Sequence, residues 1–232
     1  MIIMDIFGLI YNDAVLNKNK KYKLISGKEI LDEREVTVYN DNYENWSEIE
    51  KEILGNLTGK IIDLGAGAGR HSDYLNKKEC EVHSVDISKR AVEIMKKRNI
   101  KNVHLMDWWK IDKKFKKEFD FAIMMFNNFA MLGNEENIKK MMDKISEITK
   151  ESGKAVISCV DPEKFGCGEK SNFYAHLEYD GKSGNEFEMI LLSPRYLEKI
   201  LKKVNWEIEK IGYCDGEFNA QYLAVLKKST VH

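Results

Sequence analysis

Apolar and polar positions change period several times along the 232-residue chain, and each change marks an element. Asp5–Val15 reads as a short helix. Tyr22–Ser26 and Glu29–Tyr39 flank Gly27-Lys28, a glycine-led two-residue turn, so a hairpin is expected there. Asn45–Leu57 places Trp46, Ile49, Ile53 and Leu57 on one helical face. From Lys60 onward, short apolar runs alternate with stretches of helical period. The runs predict strands at Lys60–Leu64, Glu81–Asp86, Asn102–Met106, Phe119–Phe126 and Lys154–Val160. Helices are expected over Gly69–Lys77, after a cap at Ser88, and after a cap at Asn134. The last carries Ile138, Met141, Met142, Ile145 and Ile148 on one face, with its end expected at Gly153.

The last third departs from this repetition. Asn172–Tyr179 and Asn185–Leu192 surround Asp180–Gly184 and predict an inserted hairpin at about 172–192. Ser193-Pro194 opens a helix bearing Leu197, Ile200, Leu201 and Val204. Trp206–Tyr213 and Gln221–Leu226 are joined too briefly for a parallel crossover, so they must pair antiparallel. The expected fold is therefore α/β, Rossmann-like and doubly wound, with a seven-stranded, mainly parallel sheet that ends in a C-terminal antiparallel hairpin. Residues 1–59 form an N-terminal extension, and residues 60–232 form the core. Ligands of such folds sit outside the carboxyl ends of the strands, where the extension could close as a lid. Its best candidates for reaching the site are Tyr11, Tyr39, Tyr43 and Trp46.

Composition narrows the partners. Lys and Arg total 37 against 38 Asp and Glu, a formal net charge of −1, so no field invites nucleic acid or a membrane surface. Cys80, Cys159, Cys167 and Cys214 are scattered without a C-x-x-C pair, which suits reduced thiols and a cytoplasmic location. The first ten residues lack the basic region of a signal peptide, and no apolar run reaches membrane-spanning length.

The chemistry centres on Lys60–His71. An apolar run ends on Asp63, and glycines follow at 65, 67 and 69, ahead of a helix. Asp86 lies twenty-one residues after Gly65 at the next strand end, where a ribose diol would be held. The dinucleotide fingerprint G-x-G-x-x-G fails, because Arg70 stands where its third glycine belongs. No Gly-Lys-Ser/Thr of a P-loop occurs at this corner either. Asp63 would repel a pyrophosphate but suits a cationic ligand. The pattern D-x-G-x-G-x-G resembles the first motif of the class I S-adenosylmethionine (SAM)-dependent methyltransferases. It is most similar to small bacterial and archaeal members with an Asp-x-x-Gly leader, here Asp5-Ile6-Phe7-Gly8, and with Gly-x-Gly-Arg-His-Ser, here Gly67–Ser72.

The resemblance implies methyl transfer from S-adenosyl-L-methionine to an acceptor, with a small molecule as the default. By it, Asp63, Gly65, Ala66, Gly67 and Gly69 surround the methionine part and Asp86 accepts both ribose hydroxyls. Ile87 packs on adenine, Asp107 accepts the adenine amino group, Trp108 walls the ring, and Phe126 lies beneath the sulfonium. Asn127-Asn128-Phe129-Ala130 is not the Pro-Pro-aromatic run of the exocyclic-amine enzymes, and no acid cluster near it suggests a metal. His71, His176, Tyr11 and Asp107 are candidate bases, and no spacing singles one out. A surface role for Arg70 and His71 is as consistent with the sequence as a site role. A SAM-binding module without catalysis, and less readily a nicotinamide-dependent oxidoreductase, remain as alternatives.

Overall fold

The computed structural model describes residues 5–216 and 219–229, so part of the join between the last two strands lies outside the described residues. The core runs β3 (Lys60–Leu64), α3 (Arg70–Lys77), β4 (Glu81–Asp86), α4 (Lys89–Lys97), β5 (Val103–Leu105), α5 (Ile111–Lys114), β6 (Phe119–Met124), α6 (Glu135–Ile148) and β7 (Thr149–Val160). It is preceded by α1 (Ile6–Val15), β1 (Lys21–Ser26), β2 (Glu29–Glu35) and α2 (Glu48–Gly55). It is followed by β8 (Lys170–Tyr179), β9 (Lys182–Ser183), β10 (Phe187–Leu192), α7 (Pro194–Leu201), β11 (Trp206–Tyr213) and β12 (Gln221–Lys228).

Seven strands form one sheet in the order β11-β12-β7-β6-β3-β4-β5. The pairs from β7 to β5 are parallel, and β12 enters antiparallel between β7 and β11. Alternate residues of each strand face opposite layers. Ile62, Leu64, Tyr222, Ala224 and Leu226 pack towards α6 and α7, while Ile61, Leu223 and Val225 pack towards α2 and Leu75 of α3. The chain starts at β3, winds outward through β4 and β5, and returns to β6 on the other side of β3. The carboxyl ends of β3 and β6 therefore flank the point where winding reverses, the place at which open α/β sheets leave a crevice.

Four strands of a second, antiparallel sheet lie in the order β10-β8-β1-β2, with β9 pairing on β8. The leader hairpin and the inserted hairpin thus share one sheet, with Tyr22 opposite Tyr179 and Leu24 opposite Leu177. Ile6, Ile10 and Ala14 of α1 cover it together with Val36. The Tyr179 hydroxyl donates to Asp13 at 2.6 Å, and Lys18 and Lys20 pair with the same carboxylate.

Several boundaries differ from expectation. β2 stops at Glu35, because Val36 turns inward to full burial and opens a 3-10 turn over Val36–Asn40. α2 begins only after Ser47, whose hydroxyl caps Glu50 N, and Trp46 packs ahead of it. α6 ends at Ile148 rather than Gly153. β-Branched Thr149 starts β7 there and ties its hydroxyl back to the Ile145 carbonyl, and Gly153 sits within a bulge of β7. β5 and β6 are shorter than expected at their ends.

The Asp-x-x-Gly leader has a local physical basis. Asp5 caps α1 by accepting from Gly8 N at 2.8 Å and also accepts from the Ser88 hydroxyl at 2.6 Å. A Cβ on Gly8 would lie 2.7 Å from Asp5 Cγ and 2.8 Å from Arg90 Cβ, so glycine sets how closely α1 meets α4. Gly8→Ala should therefore cost about 1–3 kcal/mol by overpacking, read by chemical denaturation. An unchanged midpoint would show that α1 does not dock this way.

Candidate functional site

The loop after β3 is held from beneath. Gly65 N and Ala66 N donate to Val85 O at 2.9 and 3.1 Å, and Gly67 N donates to Asp86 Oδ2 at 2.8 Å. Gly67 has φ +57°, and a Cβ there would come within 3.0 Å of the Tyr11 ring. Gly69, at φ +81°, starts α3, and a Cβ on it would lie 2.9 Å from Met95 Cγ. One glycine thus admits the leader helix, and the other seats α3 against α4.

A cavity of about 310 Å³ lies at the carboxyl ends of β3, β4 and β5. Of the candidate ligand residues, Gly65, Asp86, Ile87, Asp107 and Trp108 line it. Asp5, Phe7, Tyr11, Val85, Ser88, Met106, Trp109, Asn128 and Met131 complete the lining. Ala66, Gly67 and Phe126 line a smaller adjoining cavity with Tyr11, Tyr39, Arg70 and His71. Asp63 and Gly69 line neither cavity. Asp63 is sealed beneath the loop, where it accepts from the Ser72 hydroxyl at 2.7 Å, and Ser84 donates to Ser72 in turn. Burial raises the Asp63 pKa, against the pull of His71 and Ser72.

Asp86 is the buried carboxyl at the cavity. Its Oδ1 accepts from Ser88 N at 2.7 Å while Oδ2 holds Gly67, and each oxygen keeps a second lone pair. Burial raises its pKa to about 6 despite those two bonds. Asp107 accepts from Trp109 N at 2.9 Å, which turns the two tryptophans at the end of β5. Asn128 Nδ2 donates to the Leu64 and Gly65 carbonyls at 3.2 and 2.8 Å and braces the loop from the β6 side.

Phe126 and Asn127 both adopt left-handed backbone, with φ +53° and +60°. Two such residues in succession store strain of a kind that clusters at functional sites. Asn127 N donates to the Ser158 hydroxyl at 3.0 Å and holds the turn, while Asn127 Oδ1 is buried with no hydrogen-bond partner. Phe126 lies 5.2 Å from the Tyr39 ring, and Tyr39 is 5.0 Å from Tyr11.

Of the four leader candidates, Tyr11 and Tyr39 reach the cavities. Tyr43 stacks on Tyr74 at 4.5 Å, and Trp46 packs against His71 and Tyr74. Among the candidate bases, Tyr11, Asp107 and His71 reach a cavity, whereas His176 stands in the second sheet opposite Ile25. Burial, followed by Asp86, raises the Tyr11 pKa. Arg70 and His71 are not surface groups. Arg70 Nη1 and His71 Nε2 both reach Glu50 Oε1, at 2.5 and 2.7 Å, and the guanidinium lies between the Trp46 and Phe126 rings. Glu50 is held at a pKa of about 2: burial would raise it, and the bond from His71 together with Arg70 outweighs that.

A family model described as a methyltransferase domain matches residues 39–211. The chain belongs to this methyltransferase family. An uncharacterized protein of Methanocaldococcus jannaschii is 28% identical over 205 residues, covering 78% of this chain and 94% of its own. An uncharacterized methyltransferase of Staphylococcus carnosus is 27% identical over 111 residues, covering 47% of this chain and 53% of its own. The fold is shared with a SAM-dependent methyltransferase of Bacteroides fragilis, solved with S-adenosyl-L-homocysteine. The TM-score is 0.81 at 22% identity, covering 97% of this chain and 95% of that one. Methyltransferase chemistry thereby takes precedence over the nicotinamide alternative. No helix of the described residues is long and apolar enough to cross a membrane.

Proposed function

We propose that the protein moves a methyl group from S-adenosylmethionine to a small-molecule acceptor beneath the leader. The observation that carries this reading is Asp86, a buried carboxyl with two spare lone pairs at a cavity rimmed by Gly65, Trp108 and Ile87. These residues fit an adenosyl group: Asp86 takes the ribose diol, and Ile87 and Trp108 supply apolar walls. Asp107, Gly65, Ala66 and Gly67 supply the remaining polar groups; Asp63 and Gly69 act only by shaping the loop. When bound, the sulfonium ligand supplies an activated methyl carbon for in-line displacement. The protein then has to orient the acceptor and exclude water.

The acceptor space we assign adjoins the loop. Phe7 and Met131 line the large cavity, the smaller one and a third. The third is bounded by Tyr22, Tyr39, Phe126 and Phe187, with Asp32 and Arg34 among its polar groups. Asn127 also lines that third space. α1 and the turn over Val36–Asn40 close the site from the leader side, which supports the lid reading. The balanced surface charge favours a small acceptor over nucleic acid.

The test uses SAM carrying a tritiated methyl group and a whole-cell extract separated by size. Label is expected in the low-molecular-weight fraction, and markedly less of it with Asp86→Ala at subsaturating SAM. Label confined to the nucleic acid or protein fractions would overturn the acceptor assignment. No transfer by a protein that binds SAM would favour the non-catalytic module.

A further inference from the structure

We propose that the second sheet recognises the acceptor and selects a neutral molecule with a single aromatic ring; this rests on the methyl-transfer reading above. β1 and β2 belong to the leader, and β8 and β10 to the inserted hairpin. Together they set one row across the sheet, with Leu24 opposite Asp32 on one side and Leu177 on the other. All three border the third cavity. α1 covers this sheet only in part. Ile6 and Ile10 pack with buried Tyr22 and Leu177, whereas Leu24 and Phe187 stay half-buried beside the cavity. The chain's own side chains thus leave a mainly apolar hollow with few polar groups, the usual form of a small-molecule site.

Position, size, lining and charge define what fits. The third cavity shares Tyr39 and Phe126 with the small cavity at Gly65 and Gly67, so a molecule seated in it adjoins the glycine loop. Its volume is about 70 Å³. One water needs about 10–15 Å³ of such space, so roughly five to seven water-sized groups fit, the bulk of one substituted ring. Tyr22, Tyr39, Phe126 and Phe187 place aromatic rings on its boundary. Tyr39 lies 5.6 Å from Tyr22 and 5.2 Å from Phe126, at tilts of 38° and 33°. Aromatic pairs gain beyond the area they bury, so an aromatic guest is favoured over a saturated one of equal size. Among the described residues, Asp32 and Arg34 are the charged groups on the boundary, and they pair with each other. The cavity therefore presents no net charge, and an ionic guest would lose water without gaining a counter-ion. In the reaction, a lone pair of the guest's hydroxyl or amino group forms a bond to the methyl carbon. The bond from that carbon to sulfur breaks with its electron pair staying on sulfur, and the hydroxyl or amino proton passes to water.

The test titrates the full-length protein, saturated with S-adenosylhomocysteine, with phenol, cyclohexanol, benzoate and 2-naphthol, read by saturation-transfer NMR. Phenol should bind about two- to tenfold more tightly than cyclohexanol, its saturated match. Charged benzoate and two-ring 2-naphthol should bind at least about tenfold more weakly than phenol. Leu24→Trp, which fills the hollow, should abolish phenol binding while S-adenosylhomocysteine affinity stays within about twofold of the parent. Should that variant not fold, Phe187→Leu, which widens the hollow, should admit 2-naphthol. The labelled product from the extract should contain one aromatic ring by mass spectrometry and ultraviolet absorbance. Phenol that does not bind, or binds no better than cyclohexanol or benzoate, would overturn the assignment, as would a labelled product without a ring. In those cases S-adenosylhomocysteine still binds and the methyl-transfer reading stands. If S-adenosylhomocysteine itself does not bind, that reading fails and the acceptor class falls with it.

Discussion

Replacing Glu50 by alanine is expected to destabilise the protein by about 3–5 kcal/mol, the cost of leaving buried charge without its partner. Glu50, Arg70 and His71 are all buried, and one carboxylate oxygen serves both Arg70 and His71. With Glu50 gone, the guanidinium keeps the faces of Trp46 and Phe126 and its contact with His71 Nε2, but loses its anion. The interaction also sets a pH dependence. The Glu50 pKa falls from 4.5 to about 2 on folding, so its contribution is full above pH 4.5 and is lost as pH falls towards 2. Denaturation of parent and Glu50→Gln across that window should show the acid limb shrinking in the variant. Equal stability of the parent and Glu50→Ala at pH 7 would mean that the cluster contributes nothing.

The second large effect is on ligand binding. Asp86→Ala should weaken SAM and S-adenosylhomocysteine by about 1.5–3 kcal/mol, roughly ten- to hundredfold, through lost hydrogen bonds to a charged group. The loop adds to this, because Asp86 also holds Gly67 N and Ser88 N. Asp86→Asn separates the two roles, since its amide keeps one acceptor but not the charge. Because burial raises the Asp86 pKa to about 6, affinity for a diol should rise as pH rises through 6. In the ligand-free protein the sign reverses. The folded state holds the extra proton between pH 3.8 and about 6, so stability falls over that interval as pH rises. A folded Asp86→Ala variant with parental affinity would refute the assignment.

The parts of the fold fixed by local pattern were legible. β3 and β4 begin and end where their apolar runs do, and Ser88, Asn134 and Ser193 cap the helices that follow them. The seven-stranded sheet followed from the β–α alternation and from the short join after Tyr213. The second sheet was not legible as a unit. β1 and β8 pair across about 150 residues, and neither hairpin carries a sign of the other. Asp63 was assigned by motif to the ligand, but its partner is Ser72, one helical turn into α3.

Glu50 was missed although a signal exists. It lies four residues after Trp46 and three and seven before Ile53 and Leu57, on the apolar stripe of its own segment. An acid there must find a cation. Asn128 and Met131 were hidden for a different reason. They follow β6 in a turn whose left-handed residues, Phe126 and Asn127, are not glycines.

The measurement that tests the central claim most directly is calorimetric titration of the full-length protein with SAM, S-adenosylhomocysteine and NADH. The adenosyl–sulfur ligands should bind at one site per chain, more weakly below pH 6 and after Asp86→Ala, with no heat from NADH. Binding of NADH without S-adenosylhomocysteine, or adenosyl binding indifferent to Asp86, would contradict it.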